Sequence, residues 1–115
     1  MPRVPFRITD ATALEDGSFW VINYYWPGND QLATPDPLGD IFGRGKTHAQ
    51  SEVVERLLEL RLHEGSITYT DRAPVQLALA DKGRNWEGLV RYAGGFLIIT
   101  DEHPGTLLAR VAPAP

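Results

Sequence analysis

The residues best suited to chemistry in this chain are its three histidines and the carboxylates near them. His48, His63 and His103 show neither the HxH nor the HExxH spacing that sets two imidazoles on one metal ion. His103 follows Asp101 and Glu102 just after an apolar run. From there an imidazole can act as a general base with Asp101 beside it, although the same residues also suit a solvated turn. No serine stands in a GxSxG elbow and there is no cysteine, so two familiar routes to a nucleophile are closed. The segment DIFGRGKT (40–47) ends like a phosphate-binding loop, but the first glycine of GxxxxGK[ST] would fall on Asp40, and Gly39 comes one place early. Arg44 and Lys46 therefore read as parts of a contact loop rather than a phosphate cradle. The aromatics Trp20, Tyr24, Tyr25, Trp26 and Trp86 suit either a platform for apolar sugar faces or packing between sheets. Tyr25 and Trp26, next to Pro27, are the pair expected at the surface. With Arg44 and His48 they make the candidate ligand-binding set.

Strands must position these groups. GSFWVINYYWPG (17–28) and GGFLIITDEHPG (94–105) align without gaps at an offset of 77, Gly on Gly, Phe on Phe, Ile on Ile and Pro-Gly on Pro-Gly. Each is a β-branched and aromatic run entered through glycine and left through Pro-Gly, the punctuation of a strand between turns. Each follows a short apolar segment and a turn: 11–14 with Glu15-Asp16-Gly17, and 88–92 with Ala93-Gly94-Gly95. Two hairpins are predicted. TLLARV (106–111) adds a strand after the second, and residues 4–8 add one before the first. Residues 29–50, with Pro35, Pro37, Gly39, Gly43 and Gly45, read as a long surface loop. SEVVERLLELRL (51–62) carries good helix formers behind a serine N-cap, yet Val54, Leu58, Leu60 and Leu62 fall on one face of a strand. We read strand from about Val54. SITYT (66–70) and VQLAL (75–79) alternate as strands, broken by Asp71-Arg72-Ala73-Pro74. The expected class is all-β with antiparallel meander sheets.

Composition bounds what such a fold can do. With 115 residues, 43% hydrophobic and 23% charged, the chain has the make-up of one domain with a modest core. A net charge of −4 without a Lys/Arg cluster argues against nucleic acid as a partner. No apolar run of membrane-spanning length occurs, so no membrane partner is expected. The expected location is the cytoplasm if the chain is complete, or outside the cell if it is part of a longer exported protein.

Two stretches carry a resemblance. Asn85-Trp86-Glu87-Gly88-Leu89 followed by Gly95-Phe96-Leu97-Ile98-Ile99-Thr100-Asp101, and Asp10-Ala11-Thr12-Ala13-Leu14 followed by Gly17-Ser18-Phe19-Trp20-Val21-Ile22-Asn23, resemble the blade pattern of six-bladed β-propellers related to the esterase-like phytases and, more distantly, the gluconolactonase-like calcium propellers. The resemblance implies one propeller-like domain over 1–115, with blade one at about 10–80, including the loop 29–50, and blade two at about 85–112. Two blades are too few to close a ring, so it also implies completion by oligomerisation, with a homotrimer favoured and a dimer as the alternative. In the calcium propellers a carboxylate near the start of an innermost strand faces the axis. By that resemblance Glu87 and Asp10 are the candidate metal ligands, with Asp101 and Asn23 as supplements, because Ca²⁺ takes six to eight oxygens. Two functions follow as expectations. One is a non-catalytic oligomeric scaffold binding a small polar ligand or a protein partner. The other is a calcium-assisted hydrolase of ester, lactone or phosphoester bonds, with calcium as its cofactor and Glu87, Asp101 and His103 as candidate catalytic residues.

Overall fold

The computed structural model describes Val4 and residues 7–25, 54–77, 86–100 and 106–112. Among them every regular element is a strand: β1 (Arg7–Ala11), β2 (Ser18–Tyr25), β3 (Val54–His63), β4 (Ser66–Tyr69), β5 (Val75–Gln76), β6 (Trp86–Tyr92), β7 (Gly95–Thr100) and β8 (Leu108–Val111). All the pairings are antiparallel. The all-β class read from the sequence holds.

The strands form two sheets. The first runs β1-β2-β3-β4, with β5 also on β3, and the second runs β6-β7-β8. Three hairpins turn through two residues of positive φ: Asp16-Gly17, Glu64-Gly65 and Ala93-Gly94, each pair near 50° and 80°. Both central residues of such a turn are left-handed, which matches the twist of the flanking strands and favours glycine at the second position. The outer strand of the first sheet is broken. β4 pairs with Leu60–His63 and β5 with Arg56 and Leu57 along the same edge of β3, and residues 70–74 bow out between them. Pro74 has no N–H to give the ladder, so the break falls there.

At the N-terminus the structure differs from expectation. No strand forms at 12–14; β1, Arg7–Ala11, takes in the end of the strand expected at 4–8, of which residues 5–6 lie outside the described residues, and pairs with β2 across a register shift between Ile8 and Ala11. Residues 12–14 are irregular, and pairing resumes at an isolated Glu15–Ser18 bridge. Thr12 holds that stretch in place: its Oγ1 accepts the Trp20 N–H at 2.9 Å and its own N–H donates to the Trp20 carbonyl at 2.8 Å. The second hairpin has a matching shift between Trp86 and Gly88. Both first strands therefore carry a bulge at the same place in the repeat.

The sheets pack face to face. Trp20, Ile22 and Tyr24 of β2 and Leu57 of β3 meet Trp86 and Leu89 of β6 and Phe96 and Ile98 of β7, with the Trp20 and Phe96 rings edge-on at 5.2 Å. On the far face of the first sheet Val21, Leu58 and Leu60 are buried as well, with Val4, Phe19, Ile67 and Tyr69 against them. Burial on both faces explains why VERLLEL shows so little alternation. Antiparallel sheets in this arrangement are compatible with a fragment of propeller-blade architecture.

Candidate functional site

The break in the outer strand builds one wall of a cleft. Where residues 70–74 bow out, the Arg72 guanidinium carbon lies 5.8 Å from the centroid of the Trp20 ring, and Arg72 Nε stands 3.9 Å from Glu59 Oε1. Glu59 lies opposite Trp20 in the β2–β3 register, so these three groups share one face of the sheet. The position is favourable for a cation, with a π face below and a carboxylate beside it.

The second sheet supplies the opposite wall. Arg91 on β6 reaches across to the first hairpin: its Nη2 donates to the carbonyls of Ala13 (3.3 Å) and Ser18 (3.0 Å), and its Nε stands 3.3 Å from Glu15 Oε2. One guanidinium thus ties the two sheets together at the level of the turns. Between the walls lies an open cleft of about 480 Å³. Trp20, Tyr92 and Phe96 contribute the aromatic lining, and Glu15, Asp16, Glu59, Arg72 and Arg91 the charges. Both arginines are already matched to a carboxylate, so the cleft offers paired donors and acceptors rather than a field of one sign. That chemistry suits a small ligand with several hydrogen-bonding groups and one apolar face.

The metal candidates have other surroundings. Asp10 Oδ2 accepts the Leu89 N–H at 2.8 Å, and beside it the Thr9 hydroxyl donates to the Trp86 carbonyl at 2.7 Å. Both bonds serve backbone groups of β6, the edge strand of the second sheet, whose free edge has no ladder of its own among the described residues. Glu87 is the bulged residue itself and is half-buried. Asn23 is buried, its Oδ1 accepting from Arg56 Nε at 2.8 Å and its Nδ2 donating to the Arg7 carbonyl at 3.2 Å. Among the described residues no three His, Asp or Glu side chains gather closely enough to hold a metal ion.

Tyr25 ends β2, while Trp26, Arg44, His48, Asp101 and His103 lie outside the described residues. His63 is exposed at the end of β3, 3.8 Å from Glu64, a solvated pair. Trp20, Tyr24 and Trp86 are buried between the sheets, in the packing role rather than as a surface platform. The groups that line the cleft went unread as site residues. The only hint was the Asp71-Arg72-Ala73-Pro74 interruption, which marked a break in a strand without showing where its arginine would point. No protein-family model, no curated protein and no solved structure matches this chain.

Proposed function

We propose that the chain is a propeller-like binding scaffold, without catalytic machinery of its own, that takes a small polar ligand in the cleft between its two sheets. The observation that carries this reading is the pairing of Arg72 with Glu59 above Trp20, facing Arg91 with Glu15 across about 480 Å³ of open space. Side chains from both walls converge on one opening whose lining is mostly polar, which favours a polar ligand. The propeller-like part rests on the relation between the hairpins. β1 and β6 lie side by side and run the same way, since Thr9 meets Trp86, Asp10 meets Leu89 and Ala13 meets Arg91 in ascending order. Thr9 and Trp86 are also one repeat offset of 77 apart. First strands side by side and running the same way are what neighbouring blades around an axis would present. Kinship with the esterase-like phytase or gluconolactonase-like propellers would make these two consecutive blades of that type.

Thermal melting against a panel of neutral sugars, sugar acids and amino acids tests the reading. A ligand present at 100 times its Kd stabilises by about 2.7 kcal/mol, which raises Tm by several degrees in a domain of this size. The shift should vanish in Arg72→Gln, whose side chain keeps hydrogen-bonding capacity but loses the cation. A panel without effect, or a shift that survives Arg72→Gln, would remove the cleft from consideration.

A further inference from the structure

The second sheet has a face that nothing among the described residues covers. Phe96, Ile98 and Leu89 point inward against the first sheet, and the alternate positions point the other way. Val90 opposes Leu97, and Ile99 opposes Leu108. Four of the eight large hydrophobics exposed among the described residues lie on this one face: Val90 at 56%, Tyr92 at 52%, Ile99 at 40% and Leu108 at 62%. Among the described residues the charges at this face are Arg110, opposite Leu97 on the edge strand β8, and Glu87, beside Gly88 in the β6 bulge. Gly88, opposite Ile99, keeps the face flat, since a Cβ there would lie 2.4 Å from Ile99 Cγ2.

The repeat identifies this face. Adding the offset of 77 to Trp20 and Ile22 gives Leu97 and Ile99, and subtracting it from Phe96 and Ile98 gives Phe19 and Val21. In the first sheet the face of Trp20 and Ile22 is the one buried against the second sheet. Its counterpart on the second sheet is the open one. A head-to-tail ring of copies would cover it with the face of Phe19 and Val21 from the next chain, but within one chain Val21, Leu58 and Leu60 are already buried, with Val4 against them. Among the described residues, the uncovered sheet face that a second copy can offer without disrupting itself is therefore this same face.

We infer that the open face of β6-β7-β8 is a homodimer interface, in which two copies pack these faces together about a two-fold axis. An isologous contact needs one self-complementary patch, and among the described residues this face is apolar at its centre, with Arg110 on the edge strand β8 and Glu87 at the β6 bulge. Three strands about 4.8 Å apart, with about six residues at roughly 3.3 Å each, give a footprint of roughly 300 Å² per copy. That is about the size at which an apolar patch on a monomer signals an interaction site. It is also well below the area of a standard stable interface, so the dimer should be weak. The inference does not depend on what the cleft binds.

Sedimentation equilibrium of the full chain from about 5 µM to about 1 mM reads this directly. The mass should rise with concentration from 12.8 kDa towards twice that value. Ile99→Lys and Leu108→Lys, at exposed positions, should each weaken association at least tenfold, whereas Leu14→Lys, exposed elsewhere, should leave it unchanged. Should either lysine variant unfold, Val90→Thr keeps strand propensity and should still lower affinity severalfold. A wild-type chain monomeric throughout, a species of three copies, or association indifferent to all of the face variants would overturn the inference.

Discussion

Trp86 offers the sharpest test of how the two sheets are joined. Its side chain is completely buried, its Nε1 donates to Glu55 Oε2 at 3.1 Å in the interior, and its carbonyl receives the Thr9 hydroxyl. Trp86→Phe keeps most of the ring and removes the donor. A hydrogen bond to a charged group contributes about 1.5–3 kcal/mol, and a buried carboxylate that loses a donor bears a desolvation cost as well, so we expect a loss of about 2–3 kcal/mol. Trp86→Ala also removes the ring and leaves a cavity between the sheets, for about 3–5 kcal/mol. At about 0.05–0.15 kcal/mol per residue the 115 residues give a total stability of roughly 6–17 kcal/mol. The phenylalanine variant should therefore fold, and the alanine variant should be marginal. Urea unfolding followed by far-ultraviolet circular dichroism measures both, and a double-mutant cycle with Glu55→Met, which has no oxygen to accept the bond, isolates the pair, with a coupling of about 1 kcal/mol or more expected. If Trp86→Phe lies within about 0.5 kcal/mol of wild type and shows no coupling to Glu55, the bond does not hold the sheets together and the reasoning fails.

Two further outcomes follow from local geometry. Gly88→Ala drives a Cβ into the Ile99 side chain, which is stiff at χ1, and should cost about 1–3 kcal/mol in chemical denaturation. Asp10→Ala leaves the Leu89 N–H without its acceptor and should cost about 1–3 kcal/mol, while millimolar Ca²⁺ should not move Tm in either protein because this carboxylate serves the backbone. A calcium-dependent rise in Tm that Asp10→Ala or Glu87→Gln abolishes would favour the hydrolase reading instead.

Much of the fold was legible because it is local. Asp16-Gly17 and Ala93-Gly94 announced their turns, and the apolar runs after them became β2 and β7. Strand from Val54 was the right reading of an ambiguous segment, since Leu57 packs to one side of the sheet and Leu58 and Leu60 to the other. The helix alternative rested on good helix formers behind a serine N-cap, and two of those residues, Glu55 and Arg56, are buried in the strand. What could not be read was how the sheets meet. Arg72, Arg91, Glu15 and Glu59 come from four separate segments, and the bonds joining β1 to β6 span 77 and 79 residues. No local periodicity encodes such contacts. The same holds for the bulges: Asp10 and Glu87 had the residue type of metal ligands, and only the ladder registers show that they sit at irregularities in their strands.

The seam between β1 and β6 also determines how the molecule can open. Within each sheet successive strands are joined by backbone ladders, whereas the two first strands are joined through the side chains of Thr9 and Asp10, with Arg91 bridging the hairpins. Bonds of this kind can break without unravelling either ladder, so the sheets can behave as two cooperative units hinged on a shared core. Amide exchange should record that hierarchy. The Leu89 N–H, held by a carboxylate across the seam, should exchange through partial openings that leave the central hydrogen bonds of β2 and β3 protected, and the cleft, which sits on the same seam, should widen and narrow in step with them.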